Sequence, residues 1–268
     1  MPYLDRGSHR LHFEVTGDPD APPLLLIMGM GFSSRAWDNL PRALAPSFRV
    51  IVFDNRGTGR STATRGLVRM RHMADDAAAV LARAGAGSAF VFGISMGGMI
   101  AIELALRHPE RVRALALGCT FGGWLRSRKP AVAVVRDLFL GSALARFGSH
   151  SRLARILVSP GHAAGDSGEF GSWLGRAQRA RPTVAAQQMA AVGLHAATSR
   201  LGQLRVPTLV ITGDEDRLVP VENSRQLARR IPGARFVELP GAGHCFPLER
   251  PAETVRALTE FFLSRSPS

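Results

Sequence analysis

Ser95 lies in a sequence context typical of a catalytic nucleophile. Residues 90–98 read FVFGISMGG, so a Gly-x-Ser-x-Gly pattern joins the end of an apolar run to the start of a helical pattern. A serine on such a sharp strand-to-helix turn takes strained backbone angles and projects into a cleft, and the glycines on either side avoid collisions. The context predicts a nucleophilic serine. The alternative is a glycine-rich turn that binds phosphate.

A histidine and three acidic residues follow later apolar runs and could activate that serine. A serine hydroxyl is a poor nucleophile near neutral pH, so it needs an imidazole base, which in turn needs a carboxylate to orient it. His244 ends the segment LPGAGH, and Asp214, Glu215 and Asp216 lie in the segment TGDEDRLVP. The chain order is therefore serine, acid, histidine. We interpret the other seven histidines as structural, because only His244 has this position after the last predicted strand.

Short apolar runs bounded by turn residues predict the strands that must position these side chains. The runs are continuous rather than alternating, which indicates burial on both faces, as in a parallel sheet between helices. A more alternating run from Leu11 to Val15 suits an outer strand. The predicted inner strands are Leu24 to Met28, Val50 to Phe53, Ala89 to Phe92, Val112 to Leu117, Thr208 to Thr212 and Arg235 to Leu239.

Helical patterns alternate with these strands. Such alternation predicts an α/β fold with right-handed crossovers and a doubly wound, mostly parallel sheet. Ligands of such sheets bind beyond the carboxyl ends of the strands, so we expect the site there. The predicted helices are Trp37 to Ala45, Met70 to Ala84, Met96 to Arg107, Val221 to Ile231 and Ala252 to Leu263.

The interval from Cys119 to Pro207 breaks this alternation, because it contains helical patterns and no comparable strand. We predict that residues 121–200 form an inserted helical cap. This segment holds eleven cations against three acidic residues, and so carries +8 of the formal net charge of +13. Its predicted elements are helices from Ala131 to Phe147 and from Thr183 to Thr198, and a loop from Ser159 to Ser172.

Three further motifs complete the pattern: MGMGF at 28–32, DNRGTGRS at 54–61, and glycine, aspartate and proline spaced as Gly213, Asp216 and Pro220. Together with the serine and histidine motifs, they resemble the α/β-hydrolase family over nearly the whole chain. The resemblance implies an α/β-hydrolase fold and selects Asp216, rather than its two acidic neighbours, as the triad acid.

The resemblance also implies a division of the chain and an oxyanion hole. Residues 1–120 and 201–268 would form the core domain, and residues 121–200 the cap. The backbone N–H groups of Met30 and Met96 would hold the oxyanion. Met28 departs from the family pattern, because many members have histidine there. Backbone donors do not depend on that side chain, so we expect catalysis to be retained.

Two aromatic side chains are our candidates for the substrate pocket. Phe32 ends the MGMGF motif, and Trp124 follows the predicted strand that ends near Cys119.

Composition and charge exclude several other classes of protein. Cys119 and Cys245 are the only cysteines, too few for a disulfide framework or a four-sulfur metal site, and we expect both to be small buried apolar groups. Of the 34 cations, 33 are scattered arginines, which disfavours a nucleic-acid-binding arm. No apolar run approaches the ~18 residues of a membrane helix, and the charged first fourteen residues do not resemble a secretory signal. We expect a cytoplasmic protein.

The resemblance and the triad pattern predict a serine hydrolase of a small-molecule carboxylic ester or lactone, similar to enol-lactonases, methylesterases and haloperoxidase-like members of the family. We expect no cofactor and no metal, because no nucleotide-binding glycine motif or metal-ligand pattern is present. The cationic cap suggests an anionic substrate, and the alternative is a solvated arginine-rich face. Carbon–carbon bond hydrolysis, perhydrolysis and a ligand-binding receptor remain as alternatives on the same fold.

Overall fold

The computed structural model describes residues 3–144, 150–165 and 168–265, which contain one eight-stranded sheet. The strands are β1 (Tyr3–Asp5), β2 (Arg10–Thr16), β3 (Pro23–Ile27), β4 (Arg49–Phe53), β5 (Ala89–Ile94), β6 (Val112–Gly118), β7 (Thr208–Gly213) and β8 (Arg235–Leu239). Their order across the sheet is β1-β2-β4-β3-β5-β6-β7-β8. β2 pairs antiparallel with both β1 and β4, and the remaining neighbours pair parallel. The predicted mostly parallel sheet is confirmed.

The inner strands are buried on both faces, as their continuous apolar runs predicted. Leu25 and Ile27 of β3 pack into a core on one face of the sheet, and Leu24 and Leu26 pack into a second core on the other face. All four side chains are fully buried. Complete burial of one leucine or isoleucine stabilises a fold by roughly 1.5–3 kcal/mol, so the two cores together fix the strand order and the register.

Helices cover both faces of this sheet. They are α1 (Leu40–Leu44), α2 (Met70–Arg83), α3 (Met96–Arg107), α4 (Val132–Leu144), α5 (Ser151–Leu157), α6 (Pro160–Gly165), α7 (Glu169–Arg176), α8 (Pro182–Gly193), α9 (Glu222–Arg230), α10 (Phe246–Glu249) and α11 (Pro251–Leu263). Side chains of α2, α3 and α9 enter the first core, and those of α1, α10 and α11 enter the second. None of the described helices has both the length and the apolar content that crossing a bilayer requires.

Residues 121–200, which we call the cap segment, contribute α4 to α8 and no strand in their described part. Two isolated bridges tie this segment to the rest of the fold and to itself, one between Phe32 and Arg179 and the other between Gly123 and Ala196. The segment contributes to both cores, since Val192 of α8 packs into the first and Trp173 of α7 into the second. It is therefore packed onto the sheet domain rather than attached through a linker.

Several predicted elements differ from the structure. The helix predicted from Trp37 is a 3-10 turn at Ser34–Trp37 followed by the short α1, because Asp38 takes a positive φ of 49° and Pro41 favours a new first turn. The helix predicted to end at Thr198 stops at Gly193. The predicted loop over 159–172 is wrong, since α6 and the start of α7 lie there.

Two predictions fall partly outside the described residues. The helix predicted to end at Phe147 is described as α4 as far as Leu144, and residues 145–149 lie outside the described part of the chain. Residues 166–167, within the predicted loop, also lie outside it.

Candidate active site

Ser95 occupies a strained turn between β5 and α3. Its φ of 54° and ψ of −124° are rarely adopted by a residue with a side chain. The Ser95 N–H donates to the carbonyl of Gly118 at 2.8 Å, and Thr120 Oγ1 donates to the carbonyl of Ser95 at 2.6 Å. These bonds to the end of β6 and the residues after it hold the strained conformation and keep the serine at the carboxyl edge of the sheet.

The two glycines that flank Ser95 are required by close backbone approach. A Cβ at Gly93 would collide with the carbonyl of Gly97, and a Cβ at Gly97 would collide with the carbonyl of Ile27 at the end of β3. The first residues of α3 are thereby able to lie directly against the β3 loop. The sequence motif therefore reflects a steric requirement of this turn.

Asp216 and His244 meet across the ends of β7 and β8. His244 Nδ1–H donates to Asp216 Oδ2 at 2.8 Å, and both residues are buried, with 6% and 5% of their surfaces exposed. Asp216 Oδ1 accepts the backbone N–H groups of Leu218 and Val219 at 2.9 and 2.8 Å. Both oxygens of this carboxylate are therefore hydrogen-bonded, Oδ2 to the imidazole and Oδ1 to the loop after β7.

The two neighbouring acids are placed differently. Asp214 is exposed, and its Oδ1 accepts the backbone N–H of Gly241 at 2.7 Å. Glu215 is also exposed, and its backbone N–H donates to the carbonyl of Ala242. Of the three candidate acids, only Asp216 contacts His244.

The Asp216 carboxylate sets the electrostatics of the histidine. Burial disfavours the charged imidazolium, but the adjacent carboxylate outweighs burial and raises the pKa of His244 well above its ordinary value. A histidine can accept a proton only when it is neutral. This pKa therefore predicts that base catalysis by His244 increases as the pH rises above the usual range for histidine.

Ser95 and His244 are not hydrogen-bonded to each other, and no bond between their side chains occurs among the described residues. Ser95 Oγ instead lies beside the β3 loop, 3.7 Å from the position that a Cβ at Gly29 would take. Catalytic hydrogen bonds in unliganded enzymes are often long and tighten only when substrate binds. The structure thus joins Asp216 to His244 and shows no bond between His244 and Ser95.

Cys119 is a further polar neighbour of His244 in this site, besides Asp216. It follows β6, has a positive φ of 39°, and is fully buried. One ligand atom from each of Cys119, Asp216 and His244 lies within 4.8 Å of the others, and this is the only such group of potential metal ligands in the described part of the chain. Burial raises the pKa of the Cys119 thiol, so the thiol is neutral near pH 7.

Cys119 is buried, as the sequence predicts, but its proximity to the histidine was not predicted. A signal was available, because Cys119 directly follows the strand between those that carry Ser95 and Asp216. The contact between His244 and Asp216 uses Nδ1 and Oδ2, which a bound metal would have to separate. We therefore interpret Cys119 as part of the wall beneath the histidine.

The predicted oxyanion donors lie on the two backbone segments that meet at Ser95. Met96 is the first residue of α3, so its N–H has no partner within the helix. No hydrogen-bond acceptor for the N–H of Met30 or of Met96 occurs among the described residues. Both donors are thus available to a ligand.

Residues 28–33, which we call the oxyanion loop after their predicted role, are held by neighbouring segments. Asn55 Nδ2 donates to the carbonyl of Met28 at 3.0 Å, which supports the loop at the position where the sequence departs from the expected family pattern. The Ala180 N–H donates to the carbonyl of Gly31 at 2.8 Å, and the Gly31 N–H donates to Gln188 Oε1 at 2.8 Å. The last two contacts come from the cap segment, and no sequence pattern predicts them.

The two pocket candidates lie at different places. Phe32 belongs to the oxyanion loop, is partly buried and packs against Trp173 of α7, with ring centroids 5.5 Å apart. Trp124 packs against Phe121, with centroids 6.1 Å apart, and the Lys129 ammonium lies over its ring at 4.4 Å. Phe32 is thus placed between the oxyanion loop and the cap segment, whereas Trp124 is partly covered by Lys129.

The loop that carries His244 is fixed by Glu249. Its Oε1 accepts the N–H of Gly243 at 2.9 Å, and its Oε2 accepts the N–H of Ser159 at 2.8 Å. The Cys245 N–H donates to the carbonyl of Leu157 at 2.7 Å. The histidine loop is therefore bound on both sides of His244 to the junction of α5 and α6 in the cap segment.

Comparisons with known proteins agree with this architecture. A family model described as alpha/beta hydrolase fold matches residues 22–251. The putative carbamate hydrolase RutD of Azorhizobium caulinodans is 33% identical over 267 residues, which cover 94% of each chain. The putative non-heme bromoperoxidase BpoC of Mycobacterium tuberculosis is 30% identical over 259 residues, 93% of this chain and 95% of its own. The solved enol-lactonase from Burkholderia xenovorans LB400 is 25% identical, with a TM-score of 0.85, and the match covers 98% of this chain and 100% of that one.

Proposed function

This chain belongs to the α/β-hydrolase fold family of enzymes, and we propose that it is a cofactor-independent serine hydrolase of a small-molecule carboxylic ester or lactone. Ser95 is the nucleophile, His244 the base and Asp216 the orienting acid. The observation that carries the proposal is the buried hydrogen bond of 2.8 Å between His244 Nδ1 and Asp216 Oδ2. This bond fixes the tautomer in which Nε2 is free to accept a proton.

The first half of the proposed reaction forms an acyl-enzyme. Ser95 Oγ attacks the substrate carbonyl while His244 Nε2 takes the hydroxyl proton, and the imidazolium is stabilised by Asp216. The negative oxygen of the tetrahedral intermediate accepts hydrogen bonds from the backbone N–H groups of Met30 and Met96. These groups have no acceptor among the described residues. Collapse of the intermediate expels an alcohol, or opens a lactone ring, and the leaving oxygen takes the proton from His244.

The second half releases the acid. Water donates a proton to His244 and attacks the ester carbonyl of acylated Ser95, and the same backbone donors hold the second oxyanion. Breakage of the bond to Ser95 Oγ returns the proton to the serine and frees a carboxylic acid. The similarity to an enol-lactonase supports an ester or lactone as the scissile group.

Residues 121–200 are proposed to act as a cap over this site, as an insert between core segments 1–120 and 201–268. The hydrogen bonds from Ala180 and Gln188 to Gly31 support this role. The charge of the cap segment favours an anionic substrate by raising its local concentration. Part of that charge is paired locally, since Arg176 contacts Asp38 and Arg200 contacts Glu103.

A substrate panel with a Ser95→Ala control tests the proposed function. We expect the wild-type protein to hydrolyse members of a panel of p-nitrophenyl esters, methyl esters and lactones, and Ser95→Ala to form no acyl-enzyme. A neutral ester and an anionic analogue measured at low and high salt test the charge preference, which should weaken with salt. Activity that survives in Ser95→Ala would require a different nucleophile and would reject the triad.

A perhydrolase is a second candidate, favoured by the similarity to a putative non-heme bromoperoxidase. In this reaction hydrogen peroxide replaces water in the attack on the acyl-enzyme and releases a peracid, which can oxidise bromide. Assays with acetate, peroxide and bromide distinguish the two candidates, because a simple esterase produces no brominated product.

A further inference from the structure

Only one half of the side-chain amide of Gln188, on α8, has a hydrogen-bond partner. The residue is 1% exposed, and its Oε1 accepts the backbone N–H of Gly31 at 2.8 Å. Its Nε2 is buried and has no hydrogen-bond partner among the described residues. The amide orientation is set by chemistry, because only the oxygen can accept from a backbone N–H. The two N–H donors of Nε2 are therefore the unsatisfied part.

The position of this amide relates it to the candidate site. Gly31 follows Met30 directly, so Gln188 binds the residue next to a predicted oxyanion donor. One turn further along α8, Ala191 and Val192 pack into the same apolar core as Met96. Nε2 is bonded to the same carbon as Oε1, so it also lies beside the oxyanion loop, and it is buried there.

A buried amide without a hydrogen-bond partner destabilises the fold unless a ligand accepts its hydrogen bonds. Buried polar groups in folded proteins are almost always hydrogen-bonded, and exceptions point to a functional or ligand role. The group that completes Nε2 must be a hydrogen-bond acceptor, and a carbonyl or carboxylate oxygen has the required lone pairs. A neutral amide donor accommodates either oxygen without a charge of its own.

We propose that Gln188 forms a polar subsite that binds a second oxygen of the substrate, a ketone or carboxylate oxygen on the acyl chain, while its Oε1 positions Gly31 and the oxyanion loop. The inference rests on the proposed function. It defines the substrate class more narrowly, as an ester or lactone with an additional oxygen acceptor on its acyl part. It also assigns specificity to α8 rather than to the aromatic pocket candidates.

Three p-nitrophenyl esters with the same leaving group provide the test. The valerate has a hydrocarbon acyl chain, the levulinate adds a ketone oxygen to it, and the glutarate half-ester adds a carboxylate. Gln188→Met removes both halves of the amide, and Gln188→Glu retains an acceptor for Gly31 while losing the neutral donor. Gln187→Met is the matched control, because Gln187 lies on the same helix and binds the carbonyls of Thr64 and Gly66 instead.

We expect Gln188→Met to lower the kcat/KM of levulinate or glutarate relative to valerate by about fivefold, as for loss of one neutral hydrogen bond. Gln188→Glu should disfavour the glutarate most strongly, through repulsion of its carboxylate. Gln187→Met should leave both ratios within twofold of wild type. An effect on the oxyanion loop changes all three esters together and therefore cancels in the ratios.

The outcomes separate this inference from the proposed function. If the wild-type protein hydrolyses the esters and both ratios are unchanged in Gln188→Met and Gln188→Glu, the subsite is rejected and the hydrolase is retained. If Gln187→Met shifts the ratios as much as Gln188→Met, the subsite is also rejected. If the wild-type protein hydrolyses none of the esters and Ser95 does not react with a fluorophosphonate, it is the proposed function that fails.

Discussion

Asp216 is the residue on which the electrostatics of the proposed reaction depend. It is nearly fully buried, and its two oxygens are satisfied by His244 and by two backbone N–H groups. The same carboxylate that orients the imidazole raises its pKa, so orientation and basicity have one cause. Removal of the charge without change of shape should alter the rate and the pH dependence together.

Asp216→Asn should lower kcat by orders of magnitude, about 10⁴-fold in the serine-protease precedent. The lost negative charge no longer favours the imidazolium, so the acid limb of the kcat/KM profile should move to lower pH. Profiles of the wild-type and variant enzymes from pH 5 to 9 measure both effects. An acid limb that stays in place in the variant would show that His244 does not titrate as the base.

The positions of the candidate site residues after strands could be predicted from the sequence, whereas their contacts could not. Ser95, Asp216 and His244 each follow a strand, and parallel strands bring such residues to one edge. Cys119 obeys the same rule, but a lone cysteine has no motif to single it out. Gln188 lies on a helix far along the chain, and its bond to Gly31 depends on packing that no local pattern encodes.

At the scale of elements, strands were predictable because burial on both faces leaves a continuous apolar run. β8 has the predicted bounds. The bounds of β3 to β7 differ from the predicted ones by one or two residues at one or both ends. Helix ends were less predictable, since α1 begins only at Leu40, after the turn at Asp38, and α8 stops at Gly193, well before the end of its apolar pattern. β1 was not predicted, because three residues are too few to show a period.

His195, just beyond α8, joins the cap segment to the nucleophile helix α3. Its backbone carbonyl accepts the N–H of Trp124 at 3.0 Å, and its Nδ1 lies 3.8 Å from Glu103 of α3. Burial, partly offset by Glu103, lowers the pKa of His195 to about 4. The folded state therefore keeps this imidazole neutral over a pH range in which the unfolded chain binds a proton.

This shift predicts an acid-sensitive fold. The pKa of His195 in the folded state lies below the ordinary 6.5. Its contribution to stability is therefore complete above pH 6.5 and is lost as the pH falls from 6.5 to about 4. Between pH 7.5 and 4.5 the loss amounts to roughly 2–3 kcal/mol of unfolding free energy. Urea unfolding at several pH values should show this slope in the wild-type protein and a shallower one in His195→Gln. Equal slopes would mean that His195 is not buried as described.

At the scale of the whole molecule, the cap segment and the sheet domain share the candidate site. The sheet carries the proposed nucleophile, acid, base and backbone donors at its carboxyl edge. The cap segment holds the oxyanion loop through Ala180 and Gln188. It binds the histidine loop directly through Leu157, and indirectly through Ser159, which shares Glu249 with Gly243. A movement of the cap segment would therefore displace both loops at once, and under the proposed function it would couple substrate access to the geometry of the triad.

Reaction of the protein with a fluorophosphonate tests the central claim most directly, because the reagent needs an activated serine and no knowledge of the substrate. Intact-mass and peptide analysis should find one adduct, on Ser95, in the wild-type protein, and none in folded Ser95→Ala; folded His244→Ala should label far more slowly. A folded wild-type protein that stays unlabelled, or that is labelled at another residue, would contradict the account.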